Sequence, residues 1–259
     1  MSRMSDMIRA FIDASIPAGT PDVEATYDQL ATLTAQLALV HPALARWVEL
    51  PRAGDGVPMP FSDRAGFIER VRRYAAQDQA EYPQMRNAGA IGANLTTAMV
   101  ESDWLKPGRA SMNYDPASGR MTLQIYEPAK AFGAGDTPRI VRQCVAALGA
   151  ALPATFIATD AHARMQNGEE GFETYAFDHQ LFPHRRWLGW MGFVPHMVEP
   201  RHIPEAAELI PVGRKGTVIV AVDECFDLHN PAHLKRAHEV EARMAHLGLL
   251  EVTDTSLLS

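Results

Sequence analysis

The sequence predicts an α+β fold: a mixed, mainly antiparallel sheet with helices packed against it. Segments with a helical apolar period and segments with strand character interleave irregularly, with no βαβ series. Ala110 to Tyr114 and Arg120 to Tyr126, both with period-two character, flank Asp115-Pro-Ala-Ser-Gly119, which is hairpin chemistry. The 259 residues, 47% hydrophobic and 21% charged, suffice for a large folded core. We read them as a single domain over 1–259; two lobes, if the chain forms them, divide at the Gly- and Pro-rich stretch 131–138. There is no internal repeat.

Met7 to Ile12 alternates and runs into Pro17, Gly19 and Pro21, a first strand closed by a loop. Asp22 then caps a helix with Val23, Tyr27, Leu30, Thr34 and Leu37 on one side, stopped by Pro42. After a loop containing Pro51, Gly54, Gly56, Pro58 and Pro60, Ser62 is the expected cap of a second helix. Its buried stripe is Phe67, Ile68, Val71 and Tyr74, and Arg64, Arg70, Arg72 and Arg73 form its solvated face. Ala90 to Met99 is a weakly patterned strand preceding the hairpin. Thr137 and Pro138 open a helix through Ile140, Val141, Val145 and Leu148, ended by Pro153.

Thr155 to Ala158 reads as a strand, Asp160 to Asp178 as a polar segment, and Leu188 to Val194 as a further strand. Pro204 to Leu209 reads as a short helix. Gly216 to Val222 does not alternate, so it is expected to be a strand buried on both faces and central in its sheet. Asn230 and Pro231 cap a last helix carrying Leu234, Ala237, Val240, Met244 and Leu247, with Gly248 as its stop.

The search for chemistry excludes more than it finds. With 24 basic against 31 acidic residues, the net charge of -7 argues against a general nucleic-acid binder. Cys144 and Cys225 are far apart in the sequence and form neither a disulfide framework nor a thiolate zinc motif; Cys144, inside an apolar helix, reads as core. Asp6, Arg9 and Asp13 interrupt any signal-peptide core, and no run approaches the length of a membrane span, so a cytoplasmic location is expected.

His229, His233 and His238 cluster in sequence without an H-E-x-x-H pattern, and His162, His179, His184, His196 and His202 are scattered among prolines. The first three read as surface and capping residues, the sequence does not show the others approaching one another, and no metal is expected. There is no G-x-S-x-G elbow and no phosphate-binding loop, and Gly89 to Gly92 and Gly133 to Gly135 read as turns. Asp223 with Glu224 reads as a solvated loop. No catalytic residue, cofactor site or metal site follows, and the chain is expected not to be an enzyme.

One charge feature stands out. Asp160, Glu169, Glu170, Glu173 and Asp178 against the single Arg164 give a local charge of -4, flanked by Trp187 and Trp190. An acidic rim beside aromatic anchors suits a surface that receives a basic partner. A solvated loop beside buried tryptophans has the same composition.

The C-terminal third adds an ordered set of short patterns. These are Trp187-Leu-Gly-Trp-Met-Gly-Phe-Val-Pro195, Ile203-Pro-Glu-Ala, Gly216-Thr-Val-Ile-Val220, Phe226-Asp227, Asn230-Pro-x-His233 and Leu247-Gly-Leu-Leu250. The set resembles the immunity protein 52 family of bacterial polymorphic toxin systems, and the N-terminal half, with its first strand, His41-Pro42 and Trp47, fits more loosely. The resemblance implies an α+β cytosolic antidote encoded beside a toxin, typically one with a restriction-endonuclease-like nuclease domain delivered by type VI secretion. It transfers no binding residues.

With a basic nuclease as the implied partner, Asp160, Glu169, Glu170, Glu173, Asp178, Trp187 and Trp190 become the expected toxin-binding residues. The implied function is stoichiometric neutralisation, without direct nucleic-acid or membrane binding. Two alternatives come from another class. Leu188 to Val194 faintly resembles a strand of acyl-CoA-dependent N-acetyltransferases, although no Arg/Gln-x-x-Gly-x-Gly/Ala loop accompanies it. An antidote could also act catalytically, by reversing a modification made by the toxin.

Overall fold

A computed structural model describes residues 7–52, 56–165 and 171–258. The described chain runs in order through β1 (Met7–Ser15), α1 (Val23–Val40), β2 (Val48–Glu49), β3 (Met59–Pro60), α2 (Arg64–Glu81), β4 (Ala93–Thr96), β5 (Ala110–Asp115) and β6 (Arg120–Tyr126). It continues with α3 (Pro128–Phe132), α4 (Thr137–Ala151), β7 (Phe156–Arg164), β8 (Phe172–Thr174), β9 (Met191–Val194), β10 (Glu208–Val212), β11 (Gly216–Val220) and α5 (Pro231–His246). The fold is α+β, as the irregular interleaving predicts.

All eleven strands join one sheet in the order β10-β11-β9-β7-β1-β6-β5-β4-β2-β3, with β8 beside the far end of β7. Every pairing between these strands is antiparallel. The first strand therefore lies in the middle, flanked by β6 and β7, and it runs on to Ser15, three residues past the expected end. The sheet is continuous across 131–138, the stretch at which two lobes would divide.

Alternation puts Ala10, Ile12 and Ala14 of β1 on one face, all fully buried. That face is covered by α4, which packs on β1, β9, β10 and β11 and against α1; α1 in turn packs on α2. Gly149 makes the approach of α4 possible, since a Cβ there would meet the Phe193 ring at 2.8 Å. Tyr27, Phe61 and Phe67 close the core under α1 and α2, with ring centroids 5.0 to 5.5 Å apart.

The opposite face is covered, among the described residues, over the part built from the C-terminal strands. Trp190 points there, donates its indole N–H to the Val222 carbonyl at 2.8 Å and stacks on Phe226, which stacks on His233 of α5. On the β1, β6 and β5 part of this face Arg9, Phe11, Asp13, Ser111, Asn113, Gln124 and Tyr126 stay partly or fully exposed, and the short helical turn Glu101–Leu105 sets Trp104 on Arg109.

Several boundaries differ from expectation for physical reasons. Asp63, not Ser62, caps α2, accepting from Gly66 N–H at 3.0 Å. The strand expected at 155–158 continues to Arg164, so Asp160 and Arg164 belong to β7 and not to a polar loop. The short helix expected from Pro204 to Leu209 does not form. So few residues cannot offset helix nucleation, and Glu208 onward instead pairs with β11 as an edge strand, where Pro211 is tolerated. The strand at 216–220 is buried on both faces but lies one strand in from the edge. No helix among the described residues is long and apolar enough to cross a membrane.

Candidate functional site

The acidic segment is fastened down at each described carboxylate. Asp160, 4% exposed, accepts from Tyr175 N–H at 2.7 Å through Oδ1. Asp178 accepts from Thr174 N–H at 2.8 Å and so holds the one-turn π-helix Tyr175–His179. Glu173 lies between two imidazoles, 3.2 Å from His179 Nε2 and 3.3 Å from His229 Nε2. Trp190 is fully buried, and Trp187 is partly buried against the core with its ring 6.3 Å from that of Tyr175. Glu169 and Glu170 lie outside the described residues.

Asp178 stays exposed and Glu173 partly so, and the segment also presents apolar groups: Phe177 is 88% exposed, and Phe172 is half exposed, stacked on His162 at 5.2 Å. Their only signal in the sequence is that of aromatic residues set in a polar stretch.

Beneath this segment, α5 supplies a buried carboxylate that gathers the loop before β9. Glu241, 1% exposed, accepts from Leu188 N–H at 2.8 Å, Gly189 N–H at 3.1 Å and Leu181 N–H at 3.4 Å. Burial pushes its carboxyl above the usual range, and these hydrogen bonds pull the other way without cancelling the effect. Tyr175, next to it, has its phenol pushed well up by burial first and then by the Glu241 charge. The helical histidines are similarly engaged: His233 Nδ1 accepts from Asp227 N–H, and His238 Nε2 donates to the His179 carbonyl at 2.6 Å. Among the described residues no three His, Cys, Asp or Glu side chains converge as a metal-binding group.

The β1, β6, β5 and β4 part of the sheet offers a second surface. Strand register arranges its outward side chains in cross-strand rows. One row is His162, Arg9, Tyr126 and Arg109; the next holds Phe11, Gln124 and Ser111; a third holds Asp13, Thr122, Asn113 and Asn94. Arg120 pairs with Asp13 through two hydrogen bonds of 2.8 and 2.9 Å, and Asn113 donates to Asn94 at 2.6 Å. On one side the rows meet the 172–187 segment, where a hollow of about 290 Å³ opens between Asp13, Ser15, Gln180 and Arg186.

On the other side the crossover from β4 to β5 stands out with Met99, Val100, Trp104 and Leu105 exposed, Leu105 by 78%. Asp103 braces that crossover by accepting from Met99 and Val100 N–H. A larger hollow, about 530 Å³, lies at the far edge among Arg52, Tyr74, Asp78, Asn94 and Asn113. There Arg52 and Asp78 satisfy each other through two 2.6 Å bonds.

The geometry therefore offers a broad polar platform with apolar margins, the form of a surface that meets another macromolecule. Sequence patterning misses it because the participating residues come from five separate strands. Comparison with known proteins adds two findings. The sequence model of the family described as Immunity protein 52 matches residues 137–253, a little under half of the chain. Among solved structures, a T6SS protein of Pseudomonas aeruginosa is similar at 10% identity and a TM-score of 0.49, over 91% of this chain and 75% of that one. None of the curated proteins matches the chain.

Proposed function

We propose that this protein is a non-enzymatic antidote that binds a cognate toxin and neutralises it stoichiometrically in the cytoplasm. The observation that carries this reading is the match of residues 137–253 to the Immunity protein 52 family. The platform described above supports it, because inhibition by binding needs an accessible surface and no catalytic group.

The finer reading is that the toxin is a nuclease, of the restriction-endonuclease-like kind delivered by type VI secretion. A nuclease offers a positively charged cleft to phosphate, and a chain of net charge -7 is drawn to it at long range. Colicin DNase and immunity protein pairs, among the tightest complexes known, show that occlusion alone suffices for neutralisation in another family.

The test is titration of the purified chain against the product of the adjacent gene. Protection should be complete at one equivalent, with a stable complex and arrested DNA cleavage; no complex at micromolar concentrations rejects the proposal. Protection at well below one equivalent would indicate a catalytic antidote. Glu169→Lys with Glu170→Lys should slow association and flatten its salt dependence. Glu173 is a poorer probe, since its substitution also unties His179 and His229.

A further inference from the structure

We propose that the row Arg109, Tyr126 and Arg9, with Trp104 and Leu105 at its rim, is the anchor that receives an acidic segment of the toxin. In this arrangement a partner carboxylate is held between two guanidinium groups. The inference rests on the reading that the chain binds a toxin, and it names where.

The row exists because β1, β6 and the start of β5 are in register: Arg9 lies opposite Tyr126, and Tyr126 N–H donates to the Arg109 carbonyl at 2.9 Å. The Arg109 guanidinium is sandwiched, 5.2 Å from the Trp104 ring centre and 5.5 Å from that of Tyr126. Its Nη1 donates to Ser111 Oγ at 2.8 Å. The Nε atoms of both Arg9 and Arg109 are buried without a hydrogen-bond partner, and neither arginine has a carboxylate partner among the described residues.

That sets them apart from Arg52, Arg70, Arg120, Arg142 and Arg243, each of which pairs with an acid. The buried carboxylate nearest this end of the sheet, Glu127, is already shared by Lys130 and Arg164. Asp103 is occupied by backbone N–H groups.

Two half-buried cations on either side of Tyr126 repel each other. Burial and then the Arg9 charge hold Arg109 below the usual guanidinium range. An incoming carboxylate offsets the repulsion between them and offers bidentate geometry to a preorganised fork. Arg, Trp and Tyr beside exposed Val100 and Leu105 also form the residue set that dominates binding energy at protein interfaces.

A single-stranded nucleic acid is the less suited occupant. Tyr126 and Trp104 each give a face to Arg109, Phe11 gives one to His162 at 5.6 Å, and the net charge of -7 repels a polyanion. The division of labour is consistent with the proposed function: net charge steers the encounter, and the arginine row sets register once the surfaces meet.

The experiment uses the full chain and the purified product of the adjacent gene, with affinity read by calorimetry. Arg9→Glu with Arg109→Glu should weaken binding about 100-fold or more, and Leu105→Asp, at an exposed position, about 10-fold. An unchanged melting temperature shows that each variant is folded. Hydrogen exchange on the wild-type complex asks the same question without substitution: amides of β5, β6 and residues 97–109 should gain protection.

If the wild type binds and neither the variants nor those amides respond, the anchor lies elsewhere and this inference is wrong while the proposed function stands. If the wild type does not bind, the proposed function fails and takes the inference with it. Binding of a uridine 12-mer, or a self-association, that the arginine variants abolish would give the row a different occupant and overturn the proposal.

Discussion

Glu241 is a buried carboxylate that ties α5 to the loop before β9. It serves three backbone N–H groups of the loop leading into β9 from a position inside the core. Glu241→Ala leaves those donors buried and unsatisfied, and should lower stability by about 3 kcal/mol, seen as a shifted denaturation midpoint with unchanged slope. Because burial raises its carboxyl above 4.5 in the folded state, the native form holds the proton more firmly than the unfolded chain. Its contribution is therefore fully present below pH 4.5 and is lost as pH rises through the raised folded value. Stability measured against pH should fall over that interval in the wild type relative to Glu241→Gln, which cannot titrate; parallel curves would contradict this. Cys144 gives a second prediction at this scale. Burial pushes its thiol up to about 12, so iodoacetamide at neutral pH should label Cys225 in the folded protein and spare Cys144.

At the scale of elements, close backbone approaches explain the glycines of the 188–194 run. Gly189 has φ +68, and a Cβ at Gly192 would overlap the Ile157 carbonyl oxygen across the β7–β9 pairing. Gly192→Ala should therefore break that pairing and cost several kcal/mol, seen as a large drop in melting temperature. Asp22→Ala should cost about 1 kcal/mol through loss of one cap bond. The Asp22 cap and the hairpin of β5 and β6 are legible in the sequence because both are local. The faces of β7 are not: Asp160 begins a polar-looking stretch, and register with β1 puts it on the Phe11 side of the sheet, where the 174–178 segment covers it and Tyr175 N–H donates to it. The same limit hid the arginine row, whose members are brought together only by strand register.

At the scale of the molecule, the central position of β1 ties the two halves of the chain together, since it pairs with β6 on one side and β7 on the other. Unfolding should be one cooperative transition, with tryptophan fluorescence and far-ultraviolet circular dichroism giving coincident curves; separated midpoints would show two independent lobes. The sequence by itself determined the α+β class, most of the helices, the Asp22 and Asn230 caps, the hairpin and the non-alternating buried strand at 216–220. Each of these is written in local period, capping and turn chemistry. Tertiary structure alone decided that β1 is central, that Asp160, Glu173 and Asp178 each hold an internal hydrogen bond, and that Arg9, Tyr126 and Arg109 stand in line on one face. The physical reason is that strand order and register are set by pairing between distant segments, and a slip of one residue would exchange every inward side chain for an outward one.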